Sequence, residues 1–105
     1  MIIVSRRAIK FFNFVAGRGT RLNGIALYPF IILNPDSKIT PELINHERIH
    51  IRQQMELLII PFYIWYFYES FRKGYFNNRF EREAYDNEHN LTYLATRKWY
   101  SFMKY

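Results

Sequence analysis

Thr40-Pro41-Glu42-Leu43-Ile44-Asn45-His46-Glu47-Arg48-Ile49-His50 is the stretch on which the reading of this chain turns. Thr40 offers a hydroxyl N-cap, Pro41 suits the first helical position, and Glu42 puts an acid in the electropositive first turn, so a helix begins here. Its expected course runs to about Ile60, where Pro61 lacks an N–H and kinks or ends it. On that helix His46 and His50 stand one turn apart on the same face, a spacing at which two imidazoles can bind one zinc ion. Glu47 is offset by about a third of a turn. That is close enough to serve as general base toward a metal-bound water without being a ligand. The plainer reading is a surface helix that happens to carry two histidines. Against it, two of the chain's three histidines fall into this pattern on a capped helix.

The surrounding sequence suits a single α+β domain over residues 1–105, because a chain of 105 residues divided further could not bury enough apolar surface to fold. Hydrophobic residues make up 50% and aromatics 20%, so some rings should touch a partner as well as fill the core. With no cysteine, disulfides and thiolate metal sites are excluded, and a transition metal has to be held by His and carboxylate. The charge-free stretches Leu22 to Pro35 and Leu57 to Tyr68 fall short of the roughly 20 apolar residues of a membrane-spanning helix. Arg6, Arg7 and Lys10 interrupt any signal-peptide core. The expected location is cytoplasmic or peripheral at a membrane. A formal net charge of +6 suits nucleic acid, an anionic membrane surface or acidic proteins alike.

Upstream, residues 2 to 15 are β-rich in composition, yet Ser5 as a cap, Ile9, Phe12 and Val15 at helical spacing and Gly17 as a stop also fit a short helix. Gly17, Gly19 and Asn23-Gly24 mark turns. Ile25 to Leu33 then reads as one strand ended by Asn34-Pro35-Asp36-Ser37, and Pro29, unable to donate to a ladder, makes it an edge strand. Downstream, Phe62 to Arg72 is apolar on every side, which implies burial or contact with lipid. Lys73-Gly74 and Asn77-Asn78 separate it from a third helix, about Arg79 to Thr96, with Phe80, Ala84, Asn87 and Leu91 on one face. No repeat or linker is present.

Two histidines leave a zinc short of a third protein ligand, for which His89 and the downstream carboxylates Glu81, Glu83, Asp86 and Glu88 are candidates. The pairing of His46-Glu47-Arg48-Ile49-His50 with Glu81-Arg82-Glu83-Ala84 on a later helix resembles the gluzincin metallopeptidases. Among them it is most similar to the prenyl-protein and heat-shock membrane proteases, the β-lactam-sensor antirepressor proteases and the stand-alone minigluzincins. The resemblance spans roughly Ile25 to Glu88. It implies a small zincin-like fold: two motif helices and a connecting helix against a short sheet with an exposed edge strand. It further implies that His46, His50 and Glu81 ligate zinc, that Glu47 is the catalytic base, and that a peptide or protein is the substrate. Many relatives carry, after that alanine, an aspartate that supports a metal histidine; Tyr85 stands there instead, with Asp86 one place later.

Glu81 has a second explanation, since with Asn78 as N-cap it completes a capping box. Glu83 is the reserve ligand, about 200° around the helix from Glu81. Tyr85 could donate toward substrate or ligand, Glu88 lies two turns along the Glu81 face as a supporting group or a solvated charge, and His89 reads as exposed. Metal-assisted peptide hydrolysis follows, with the substrate paired along the Ile25 to Leu33 edge. The basic, aromatic tail Arg97 to Tyr105 is the natural segment to cover the cleft and keep the chain latent. A non-enzymatic zinc protein at a membrane surface is the alternative, drawing on Leu57 to Tyr68 with its flanking bases. A nucleic-acid binder ranks last because it explains none of His46, Glu47 and His50.

Overall fold

Ser5 reconciles the strand and helix signals at the N-terminus: a strand, β1 (Ile2–Val4), ends there, and its hydroxyl caps α1 (Arg6–Ala16) by accepting from the Ala8 N–H at 3.2 Å. The computed structural model describes residues 2–16 and 22–105, so the turn expected at Gly17 and Gly19 lies outside the described residues. Then follow β2 (Gly24–Leu27), β3 (Phe30–Leu33), α2 (Pro41–Leu57), α3 (Ile59–Lys73), a 3-10 turn (Tyr75–Asn77), α4 (Arg79–Asn87), α5 (Tyr93–Thr96) and a final 3-10 turn (Ser101–Lys104). The architecture is α+β, with a three-stranded mixed sheet in the order β1-β3-β2. β3 is central, parallel to β1 with Ile3 opposite Ile32 and antiparallel to β2 with Ile25 opposite Ile32.

The single edge strand expected over Ile25 to Leu33 is instead a hairpin: Tyr28 and Pro29, which has no N–H to give a ladder, form the turn between β2 and β3. β2 keeps the edge, and β3, buried from Ile31 to Leu33, moves to the centre. α2 begins as its sequence demands, with Thr40 Oγ1 accepting from the Leu43 N–H at 3.1 Å. It ends earlier than expected, at Leu57, where the chain breaks through Leu58 at φ 66°. Pro61 then falls in the first turn of α3, where a missing N–H costs nothing.

The third helix is also shorter than its periodicity suggests. α4 stops at Asn87, and the Asn45 side-chain amide on α2 donates to the carbonyls of Asn87, Glu88 and Asn90 at 2.9–3.2 Å, satisfying the helix end. Leu91 consequently leaves the Phe80–Ala84 face and is exposed. The aromatic core is Phe62, Phe80 and Phe102, backed by Leu57, Tyr63, Trp65 and Tyr66.

Candidate metal centre

α2 and α4 pack against each other and bring the two sequence motifs together. His46 Nε2 and His50 Nε2 each lie 3.0 Å from Glu81 Oε1. One donor atom from each residue falls within 4.8 Å of the others, and all three side chains are buried. These residues are close enough to bind a metal ion.

The hydrogen bonds on the far sides of the rings decide what can stand between them. His46 Nδ1 is 2.9 Å from Glu88 Oε1, and a carboxylate only accepts, so Nδ1 carries the proton. His50 Nδ1 is 2.8 Å from the Gln53 side-chain oxygen. That amide is held the right way round because its nitrogen donates to the Phe80 carbonyl at 3.1 Å and to Glu83 Oε1 at 2.9 Å. With both Nδ1 positions donating, each neutral imidazole presents an Nε2 lone pair to the same carboxylate oxygen. Lone pairs facing a carboxylate repel, so a cation belongs there, either a shared proton or a metal ion. With each Nε2 3.0 Å from Oε1 and the three donor atoms within 4.8 Å of one another, these side chains would fit around one small cation of the kind that imidazole and carboxylate hold.

The electrostatics agree. Burial alone would lower the His50 pKa, but the Glu81 carboxylate, by charge and hydrogen bond, raises it to about 9. Burial pushes Glu81 up, yet His50 and His46 outweigh it and hold the carboxyl well below its ordinary range. Tyr66 donates to the other oxygen, Glu81 Oε2, at 2.5 Å and leaves Oε1 to the imidazoles. Glu47 stands on the wall of an open cleft of about 920 Å³ that also takes in His46, His50 and Glu81. Among the described residues no side chain hydrogen-bonds its carboxylate, and burial raises its pKa despite the nearby imidazoles. β2 runs beside it: a Cβ on Gly24 would lie an ordinary 3.5 Å from Glu47 Cγ but a tight 3.0 Å from Leu33 Cδ2 and 3.2 Å from the Ile32 carbonyl oxygen, so the approach favours glycine.

Each candidate from the sequence now has a place. Glu81 joins the centre and does not close a capping box; Asn78 caps α4 alone, accepting from the Phe80 N–H at 2.9 Å. Glu83, the reserve ligand, faces away and accepts from Gln53, Tyr93 and Arg97. Glu88 supports His46, the part that Tyr85 and Asp86 do not take. Tyr85 lines the cleft, its ring centroid 4.5 Å from that of His46 and its hydroxyl 3.1 Å from that of Tyr75. His89 is exposed and outside the cluster.

The tail does not cover the cleft as expected. Arg97 is buried in a fork to Glu56 (2.8 and 3.0 Å) and also bonds Glu83, and Phe102 sits 4.9 Å from Phe80 in the core. The edge of β2 is also less open than expected. Gln54 accepts from the Tyr28 N–H at 2.7 Å and donates to the Ala26 carbonyl at 2.8 Å, filling both bonds that one residue of an added strand would make. Tyr63 donates to the same carbonyl. Gln53, Gln54, Tyr66 and Arg97 were not singled out from the sequence. Gln53 alone carries a local signal, standing three residues after His50 on one helix face.

Comparisons with protein-family models, with curated proteins and with solved structures found no match for this chain.

Proposed function

We propose that this chain is a zinc-dependent peptidase, a compact relative of the gluzincins, with His46, His50 and Glu81 as ligands and Glu47 as general base. The observation that carries the reading is the pair of Nε2 lone pairs aimed at one Glu81 oxygen with both Nδ1 atoms anchored. Imidazole and carboxylate donors suit zinc, and three protein ligands leave a fourth position for water or substrate. When bound, zinc supplies Lewis acidity that acidifies a water and polarises a peptide carbonyl. The chain's own residues do the rest. Glu47, made more basic by burial, takes the proton from the attacking water and returns it to the leaving amine. Glu88 and Gln53 keep both imidazoles turned toward the centre. A peptide adding to β2 runs past Gly24 beside Glu47 and stops short of Ala26 unless it displaces Gln54.

That closure of the edge also favours a second reading, a zinc protein without hydrolytic activity, because less main chain is offered to a substrate. One experiment separates the two. The purified, zinc-loaded chain is incubated with a diverse peptide library beside Glu47→Gln, with metal content measured for both. The peptidase reading expects one zinc per chain in each and cleavage only by the parent. Zinc without cleavage in the parent assigns the second reading, and full zinc retention in a His46→Ala, His50→Ala variant overturns both.

A further inference from the structure

The feature that the metal centre leaves unexplained is a large apolar surface in water. On α3, Ile60, Ile64, Phe67 and Phe71 follow one another at i, i+4, i+7 and i+11, within an arc of about 60°. They are 73%, 68%, 56% and 92% exposed, while Phe62 and Glu69 on the opposite side of the helix are buried. On α1, Phe11, Phe14 and Val15 are 60%, 85% and 60% exposed. One residue of each ridge, Val15 and Phe67, lines the metal cleft, together with the exposed Phe76. Isolated apolar residues on a surface need no explanation, but two aromatic ridges that each reach one cleft do.

The charges choose the occupant. Arg7 and Lys10 lie on the outer face of α1, in register with Phe11 and Phe14, and Lys38 lines the cleft. Arg72 and Lys73 directly follow Phe71. α1 has no acid, and the one acid of α3, Glu69, is buried and bonded to Lys73 and Arg79. Near α1, Asp36 is held by Arg6. The ridges therefore present unbalanced positive charge on a chain of net charge +6. Two copies face to face would set like charges against each other, whereas an anionic lipid surface supplies the complement. Tyr68 flanks the α3 ridge, half exposed with its hydroxyl accepting from Arg72, the posture of an aromatic ring at a bilayer interface. Among the described residues no helix is long and apolar enough to cross a membrane, so the contact is with its surface.

We propose that the outer faces of α1 and α3 seat this protein on an anionic bilayer with the metal cleft at the lipid surface. The inference stands on exposure and charge and is independent of whether the cleft hydrolyses anything.

The full chain is sedimented with vesicles of mixed phosphatidylcholine and phosphatidylglycerol and with vesicles of phosphatidylcholine alone. Binding is expected to the mixed vesicles, with weakening as salt rises. Phe14→Glu with Phe71→Glu should lower the partition coefficient about a hundredfold or more, and Arg7→Gln with Lys10→Gln about tenfold or more. All four positions are exposed, and retained helical circular dichroism and zinc binding verify that each variant is folded; Phe14→Ser with Phe71→Ser serves if the charged pair is not. Three results overturn the proposal: the parent stays in the supernatant with both vesicle types; the ridge variants bind as well as the parent; or the parent sediments in solution as a dimer that Phe14→Glu with Phe71→Glu returns to monomer, which assigns the ridges to a second copy.

Discussion

Raising the pH from 7 to 9 should tighten metal binding about a hundredfold, because at neutral pH a metal has to displace a proton from between His50 and Glu81. In the metal-free protein the His50 pKa is raised to about 9, the Glu81 carboxylate overcoming the effect of burial. At pH 7, two units below that value, about 99% of the imidazole is protonated, and the competing proton weakens apparent affinity by about two powers of ten, or about 3 kcal/mol. Affinity should rise about tenfold per pH unit between 7 and 9 and level off above. The sign for stability is opposite. A folded-state pKa above the unfolded one contributes stability that is fully present below about pH 6.5 and is lost as pH rises through about 9. The metal-free protein should therefore lose stability across that window. The assay is zinc titration against a competing chelator at a series of pH values, corrected for the chelator's own protonation. Calorimetry in buffers of different ionisation enthalpy should report release of about one proton at pH 7. Equal affinity at pH 7 and pH 9 with no proton release would mean that no proton stands between His50 and Glu81, and the lone-pair argument for the centre would fall.

The two acids of α4 should separate cleanly. Glu81→Gln should reduce zinc affinity by a hundredfold or more while leaving the fold, whereas Glu83→Gln should keep zinc and cost roughly 3 kcal/mol in chemical denaturation by taking a carboxylate from the buried Arg97. Gln53→Ala and Glu88→Gln should each weaken zinc binding about 10–100-fold in the same titration, because each releases one imidazole from its fixed tautomer. Phe102→Ala should cost about 3–5 kcal/mol, measured by urea denaturation, and truncation after Thr96 should not fold at all. A cleft-covering tail would instead give a folded truncation.

What was legible in the sequence was local. Thr40-Pro41-Glu42 starts a helix whatever surrounds it, Ser5 and Asn78 cap theirs, and the spacing of His46 and His50 places both rings on one face because a helix repeats every 3.6 residues. Those signals gave the helices, and the apolar run Ile25 to Leu33 gave the β part of the α+β class. Boundaries were misread where a distant group decided them. Leu91 matches the periodicity of α4, but Asn45 on α2 captures the end of that helix and closes it four residues earlier. Pro29 read as an edge-strand residue because a missing N–H excludes it from a ladder; a place in the turn between β2 and β3 satisfies the same constraint.

The misplaced tail shows how the same physics bears on the site. Arg97 to Tyr105 looked suited to cover a cleft because it follows the helix that carries Glu81 and presents four aromatic rings. Its position is set by Arg97, whose buried guanidinium needs the carboxylates that only Glu56 and Glu83 supply. Glu83 in turn orients the Gln53 amide, and Gln53 orients His50. The chain of contacts thus runs from the C-terminal segment through two helices to a metal-facing nitrogen, and its last link alone, Gln53 three residues after His50, has a local signal in the sequence. Glu83 was the harder acid to place for this reason. Its spacing resembles that of a ligand, but its partner lies 14 residues ahead, and once Arg97 claims it, Glu81 in the first turn of α4 is left to face the two imidazoles.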